Sequence, residues 1–341
     1  MTSPQPGTQR WLDLVVEDVI EPDLAIVDPH HHLWPPGRGM RYAIDDLHAD
    51  TGDGHRVEHT VFVECHSSYR TDGPAELLPV GETEFVAGVA ASDPTGLIAG
   101  IVAHADLRVE NLGDVLDAHE AAGQGLFRGI RHALSRDDGT AELAIPGRAP
   151  QGLFADVAFR RGVARLGQRG LTYDSWQYHH QAQEFLSLAR AVPGTTMVLD
   201  HLSTPLGVGP FADQREEIFT TWKADMAEIA TCPNVVAKLG GMAMPDNGFG
   251  WHVAERPATS DEFVAAQGRY YEHMIECFGP QRCMFESNFP VDRTALSYRT
   301  VWNAFKKIAA GLSSADKDAL FSGTASRIYR VGREDSDVDH P

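Results

Sequence analysis

Eight short apolar or β-branched runs recur along the chain, at residues 25–28, 60–64, 98–103, 127–131, 171–174, 196–200, 235–239 and 283–287. Stretches with apolar positions at helical spacing alternate with them, at 82–91, 111–122, 155–169, 181–191, 213–230, 261–278 and 295–310. Repeated strand–helix units give a parallel sheet whose faces the helices cover, and eight units are the number that closes a (β/α)8 barrel. The expected fold class is therefore α/β, a single TIM-like barrel with long loops after its strands. An open doubly wound sheet would carry a glycine fingerprint after an early strand, where this chain has His30, His31 and His32. A chain of 341 residues ordinarily suggests two domains, yet barrels of this kind run to ~250 residues or more as one unit. The division expected is an N-terminal arm over residues 1–20, the barrel over 21–332 and an acidic, polar tail over 333–341.

Charge narrows the partners. With 29 Lys and Arg against 48 Asp and Glu, the formal charge is −19 and the basic residues form no block. A phosphate backbone would be repelled, which disfavours a nucleic-acid role. A membrane span needs ~20 consecutive apolar residues, whereas runs such as 97–103 are short and broken by glycine. The opening MTSPQPGTQR has neither a charged start nor an apolar stretch, so no secretory signal is expected. Cys65, Cys232, Cys277 and Cys283 stand far apart without a C-x-x-C pair, which fits buried thiols in a reducing cytoplasm. The expected partner is a small-molecule substrate, with self-association left open.

Three connections, 65–81, 133–154 and 243–260, are longer than turns. Each follows a strand, so a barrel gathers them at its C-terminal face, where this architecture builds active sites. The first strand ends Asp28-Pro29-His30-His31-His32. Side-chain alternation puts Asp28, His30 and His32 on one face, and two imidazoles from one strand end can grip one metal. The sixth strand ends Val198-Leu199-Asp200-His201 and brings another imidazole to the same rim. His30, His32 and His201 are thus the expected ligands of a divalent metal. Zinc ranks ahead of manganese or magnesium because it takes nitrogen ligands readily. A metal-free site, where the histidines only hydrogen-bond, is the alternative.

The segment IVDPHHHLW resembles the D-x-H-x-H-x-W opening of the amidohydrolase-2 group of TIM-barrel metal-dependent hydrolases. GIRH at 129–132, YDSW at 173–176, VLDHL at 198–202, NVVAKLGG at 234–241 and FGPQRCMFESNFPVD at 278–292 are similar to that group's later motifs, in the same order. Within the group the chain looks closest to the branch of sugar lactonases and of pyrone-dicarboxylate and sulfomuconolactone hydrolases. The resemblance implies that His30, His32 and His201 are ligands or face substrate. At strand 8 the group reads G-S-D-W-P, and its Asp holds the metal or activates water. This chain has Glu286-Ser287-Asn288-Phe289-Pro290, and the amide of Asn288 cannot act as a base.

Strand parity sets Glu286 in the lumen one layer below Asn288, as proton carrier or as the ion-pair partner of Lys238. Glu64 and His66 form a second candidate base or ligand, or a rim salt bridge. Of Arg131 and Arg128 one faces the lumen, and Arg131 is the candidate to steady a carbonyl oxygen. Asp174, Trp176 and Tyr178 alternate after strand 5, where the aromatics either wall the substrate or pack the rim. Trp251 sits in a glycine-hinged loop, 244–256, with the composition of a lid or of a subunit contact. The function expected is a hydrolase that opens a small lactone or ester-like ring with an activated water. Glu286, His201, Asn288 and Arg131 would be catalytic; Glu64, His66, Asp174, Trp176, Lys238 and Trp251 would surround the substrate. Decarboxylation of a small aromatic acid at a metal, and a barrel that binds a ligand without turnover, are the alternatives.

Overall fold

The computed structural model describes residues 4–35 and 41–332, so the tail expected over 333–341 lies outside the described residues. Eight parallel strands pair in sequence order: β1 (Ala25–His31), β2 (Arg56–Val63), β3 (Ile98–Ala103), β4 (Phe127–Arg131), β5 (Thr172–Ser175), β6 (Met197–Leu199), β7 (Val235–Leu239) and β8 (Cys283–Phe285). The sheet closes on the segment just beyond β8. There Asn288 N–H donates to the His30 carbonyl (3.1 Å) and His32 N–H to the Phe289 carbonyl (2.8 Å). The (β/α)8 barrel expected from the alternation is thereby formed, and closure leaves no exposed sheet edge.

Helix α1 (Gln9–Leu12) precedes the barrel. The helices α2 (Ile44–Thr51), α3 (Val80–Ser92), α4 (Leu112–Gly123), α5 (Val157–Gln168), α6 (Ala182–Ala191), α7 (Arg215–Ile229), α8 (Ser260–Phe278) and α9 (Tyr298–Ile308) follow the strands in turn, before α10 (Ser314–Asp318) and α11 (Thr324–Tyr329). Local chemistry sets their starts. Asp156 accepts from Phe159 N–H (2.8 Å) at α5, and Thr259 and Glu262 exchange bonds with each other's backbone N–H at α8 (2.9 and 3.1 Å). Helix α2 leaves little spacing signal because IDDLHADT has only Ile44 and Leu47 as large apolar residues, too few to draw a stripe.

Alternation along the strands divides the core into two. Ile26, Phe62 and Phe285 pack outward under the helices, while Val27, Val61, Val63, Val102, Val198, Val236 and Met284 fill the barrel. Branched side chains at these inward positions make the lumen a packed core rather than a pore. Tyr329 and Ala325 of α11 join that inner cluster. Arg327 and Arg330 donate to the carbonyls of Gln281 and Gly170, in the loops leading into β8 and β5. Helix α11 therefore plugs the end opposite the strand C-termini. The N-terminal arm is tied across the other side: Trp11 is buried with its indole N–H on the Ala254 carbonyl (3.2 Å), and Glu17 accepts from Ser260 N–H and O–H (both 2.7 Å). Among the described residues no helix is long and apolar enough to cross a membrane.

Candidate active site

The site begins with a break in β1. Its register against β2 shifts between Asp28 and His31, so simple alternation fails there. Asp28, expected beside His30 and His32, turns instead to the closing seam and accepts from Ser287 N–H and Tyr298 O–H (both 3.0 Å). Burial pushes its carboxyl up to about 6. His31 packs outward, edge-on to Phe62, and burial lowers it to about 3. His30 and His32 are left pointing into the lumen, their rings 4.9 Å apart.

Two hydrogen-bond acceptors and one close carboxylate contact, that of Glu286 Oε2 with His30, then set the tautomers. His201 Nδ1 lies 2.7 Å from Glu286 Oε1, His30 Nδ1 2.7 Å from Glu286 Oε2, and His32 Nδ1 2.8 Å from the Val63 carbonyl. None of these oxygens can donate, so each Nδ1 carries a proton, and a neutral ring then has its lone pair on Nε2. For His30 a second contact agrees: Nε2 is 3.3 Å from an Arg131 nitrogen, which can only donate. Lys238 Nζ also lies 3.4 Å from His30 Nδ1, but two donors cannot bond, and the much closer carboxylate decides the assignment. Burial, with Lys238 beside His30 and Arg131 beside His32, holds both rings well below the ordinary histidine value and therefore neutral.

A ladder of alternating charge crosses the lumen. Asp174 pairs with Lys238 (2.9 Å), Lys238 with Asp200 (3.3 Å), Asp200 with Arg131 (3.6 Å), Arg131 with Glu64 (2.8 Å) and Glu64 with His66 (3.2 Å). Burial alone would raise Glu64, but Arg131, His66 and His104 bring it down to about 2. Burial likewise works against the charge on Lys238, and Asp174 and Asp200 reverse it, so the ammonium is raised above its ordinary value. Tyr329 donates to Asp174 from below (2.5 Å). Lys238 is thus the partner of Asp174 and Asp200, not of Glu286.

Above the ladder opens a cavity of about 310 Å³, lined by His32, Glu64, His66, Arg131, His201 and Asn288, with Trp34 and Trp176 as aromatic walls. Glu286 lies behind the histidines and does not line the cavity; its two oxygens hold His30 and His201. Asp174 and Lys238, expected beside substrate, lie beneath it. Trp251 stacks on Phe249 and Phe263 and stays off the cavity. Asn288 donates from Nδ2 to Asp292 (2.9 Å), whose carboxyl burial pushes up to about 7. Arg128 donates to the carbonyls of Gly125 and Ala99 instead of reaching the site.

Backbone geometry holds these groups at some strain. His66, His201 and Asn288 all have left-handed φ (59°, 53° and 54°), a conformation that disfavours non-glycine residues and gathers where surrounding structure over-determines it. The glycine pair after β7 makes room for them. A Cβ on Gly240 would meet Glu286 O at 2.2 Å, and one on Gly241 would meet His201 Nδ1 at 2.2 Å.

Donor atoms of His30, Asp200 and His201 all lie within 4.8 Å of one another. This group differs from the expected set: Asp200 joins it, and His32 is left facing the cavity. The donor chemistry fits a divalent cation. Glu286 behind both rings leaves Nε2 of each as the ligand atom, that of His30 now facing Arg131 (3.3 Å), the arrangement that orients histidine ligands, and both Asp200 oxygens are buried without a hydrogen-bond partner. The formal charge agrees, since four lumen carboxylates, Glu64, Asp174, Asp200 and Glu286, face two cations, Lys238 and Arg131. Asp200, beside His201 in the sequence, was not among the expected ligands; strand alternation would admit only one of two neighbours to the lumen, and the left-handed turn at His201 admits both. His104, the first residue after β3, was missed although it carries the same strand-end signal as the others.

Comparison with known proteins gives a family match over residues 27–331, to the family described as Amidohydrolase. The uncharacterized protein y4mH of Sinorhizobium fredii is 34% identical over 334 residues, covering 91% of this chain and 99% of that protein. The L-fucono-1,5-lactonase of Burkholderia multivorans is 30% identical over 318 residues, covering 89% of this chain and 96% of the lactonase. Among solved structures, an amidohydrolase from Burkholderia multivorans with bound HEPES aligns with a TM-score of 0.70 at 26% identity, over 90% of this chain and 99% of that one. One from the same organism with bound zinc gives 0.69 at 25%, over the same 90% and 99%.

Proposed function

Because this chain belongs to the amidohydrolase family, we propose that it opens the ring of a small, uncharged sugar-acid lactone by adding water. The observation that carries this reading is the cavity. Its volume of about 310 Å³ suits a monosaccharide-sized molecule and sits at the low end of the ~300–1,000 Å³ common for ligand pockets. Trp34 and Trp176 offer flat faces for the C–H surface of a sugar ring. Arg131 is the one Lys or Arg among the described residues lining it, and Glu64 already pairs with it. An aromatic carboxylate would therefore meet no unpaired cation, which weighs against the decarboxylase reading. The lactonase relative at 30% identity supports the same substrate class.

The chain's own groups divide the work. A divalent ion held by His30, Asp200 and His201 would supply Lewis-acid polarisation of the ester carbonyl and a more acidic water. His32 presents a neutral ring to the cavity with its Nε2 lone pair free of the Val63 contact. It takes a proton from water as the water oxygen bonds to the carbonyl carbon. When the bond from that carbon to the ring oxygen breaks, His32 returns the proton to the departing oxygen, and the product is an open hydroxy acid. Arg131, kept cationic by Glu64 and Asp200 against the effect of burial, sets positive charge beside the oxyanion as it develops. Asn288 orients substrate hydroxyls and moves no proton.

The test is a panel of aldono-1,4- and 1,5-lactones, L-fucono-1,5-lactone among them, followed by acid release with and without chelator. At least one lactone should reach a kcat/KM of ~10⁴ M⁻¹s⁻¹. Failure of every lactone, or CO₂ release from an aromatic acid, overturns the reading.

A further inference from the structure

The lactone-opening scheme uses Glu64 only as the partner of Arg131 and leaves the side of the cavity beyond it unexplained. There Glu64, His66 and His104, from the end of β2 and the start of the loops after β2 and β3, bring donor atoms within 4.8 Å of one another. We propose that these three residues form a second divalent-cation site, of zinc-like preference, at the cavity rim and separate from His30, Asp200 and His201.

Three observations carry it. Glu64 Oε1 accepts from Arg131, while Oε2 is buried without a hydrogen-bond partner although His66 Nε2 is only 3.2 Å away. A ring N–H aimed at that oxygen would have made a bond; the contact is close but misaligned. His104 Nδ1 lies 3.1 Å from the Arg131 carbonyl, which only accepts, so the proton is on Nδ1 and Nε2 bears a lone pair. The Tyr69 hydroxyl is a second buried polar atom without a partner, on a ring that lies 5.2 Å from that of His66 and stacks with that of His104. Unsatisfied buried polar atoms are rare, and two on residues that adjoin the same imidazoles point to a group not yet counted.

The chemistry selects the ion. Two imidazoles and one carboxylate match the three-ligand zinc sites that keep an open position, and they offer too few oxygens for calcium or magnesium. His66 is 62% exposed, which gives the ion an entry path and water for the open position. An ion here would tether the loop after β2 through His66 while leaving the bond between Arg131 and Glu64 Oε1 in place.

The test counts ions rather than turnover. Chelator-stripped protein is dialysed against Zn²⁺ and analysed for bound metal, with circular dichroism as the check on folding. Wild type should retain two ions per chain, His66→Ala/His104→Ala one, and His30→Ala/His201→Ala one. Should the rim double variant unfold, His66→Ala alone, at an exposed position, should weaken one of the two binding events by at least ~10-fold. Wild type retaining one ion that only the deep double variant loses overturns the second site. So does unchanged binding in both rim variants, the result expected if Glu64 and His66 are merely an ion pair. Loss confined to the rim variants would instead sustain this site and overturn the deep one.

Discussion

Two histidine–carboxylate groups flank Arg131, and they are built in opposite ways. In the deep group every donor is buried, one carboxylate, Glu286, holds two imidazoles, and Asp200 lies between Lys238 and Arg131. In the rim group Glu64 is buried but His66 is largely in solvent. The deep group is preorganised: its rings cannot turn without breaking a buried contact to a charged oxygen, so its geometry is ready before substrate arrives. The rim group can exchange with water. A fixed reaction centre and an accessible flank are therefore joined by one guanidinium, which donates to Glu64 and sits within ion-pair reach of Asp200.

The largest expected effect follows from this contrast. His201→Ala should lower kcat/KM for lactone opening by ~10³-fold or more, while His66→Ala should lower it by no more than ~10-fold. Steady-state kinetics on any lactone the wild type accepts decides it. Equal losses would mean that the rim group shares the chemistry and that the division into centre and flank is wrong.

Glu286→Gln sharpens the same point with a smaller effect. A carboxylate can accept from both Nδ1–H groups; an amide offers one oxygen and turns an N–H donor toward the other ring. Metal affinity and activity should fall by ~10–100-fold with the fold retained, the range typical of groups that orient metal ligands. Added zinc should restore most of the activity. A loss that persists at saturating zinc would return Glu286 to the proton-carrying role expected from its place on strand 8.

How much of this was legible beforehand depended on whether local periodicity held. All eight strands fell where apolar runs predicted, because buried parallel strands are nearly continuous in Val, Ile and Leu. Of the expected ligands, His30 and His201 stand together, and both are strand-end residues whose positions follow from barrel geometry alone. Parity placed Glu286 below Asn288, but not in contact with the histidines, since no sequence period encodes which side chains meet across the lumen. It misplaced Asp28, because a register shift in β1 reverses the face at that residue. It also missed Asp200, whose neighbour adopts a left-handed turn. Tyr329 could not have been foreseen as a contact of Asp174: its helix is short and reaches the lumen from the far end of the barrel.

Acid and base should pull the two sides of the cavity apart. Glu64, held at about 2 against its ordinary 4.5, contributes stability that is present above the ordinary value and lost as pH falls toward 2. Asp292, pushed up to about 7 from 3.8 by burial, behaves in the opposite sense: its contribution is full below the ordinary value and lost as pH rises through 7. Urea unfolding at about pH 4 and about pH 8 should therefore show Glu64→Gln destabilising more at the higher pH, and Asp292→Asn gaining on wild type there. Parallel responses of the two variants would remove the electrostatic contrast between the Glu64 flank and the Asn288 flank.

The smallest effect is expected at Trp251, and it tests whether the flank extends into a moving lid. The loop after β7 has the glycines and aromatics of a lid, yet Asp246 accepts from Ala144 and Ile145 N–H (2.6 and 3.1 Å), and Asn247 donates to the Pro205 carbonyl (2.8 Å). Trp251 itself is 5.3 Å from the Phe249 ring and 5.8 Å from that of Phe263, in near-parallel stacks. Those contacts fix the loop to the connections after β4 and β6 and, through Trp251, to α8. Trp251→Ala should accordingly leave KM within ~2-fold of wild type and show instead as lost stability, since removing a partly buried aromatic takes away packing that contributes to folding but not to binding. Trp176→Ala, by contrast, removes a cavity wall whose indole N–H donates to Thr204 (3.0 Å), and should raise KM well beyond that margin. If Trp251→Ala raised KM as much as Trp176→Ala, the loop would have to close over bound substrate, and the cavity would be only one of two states of the site.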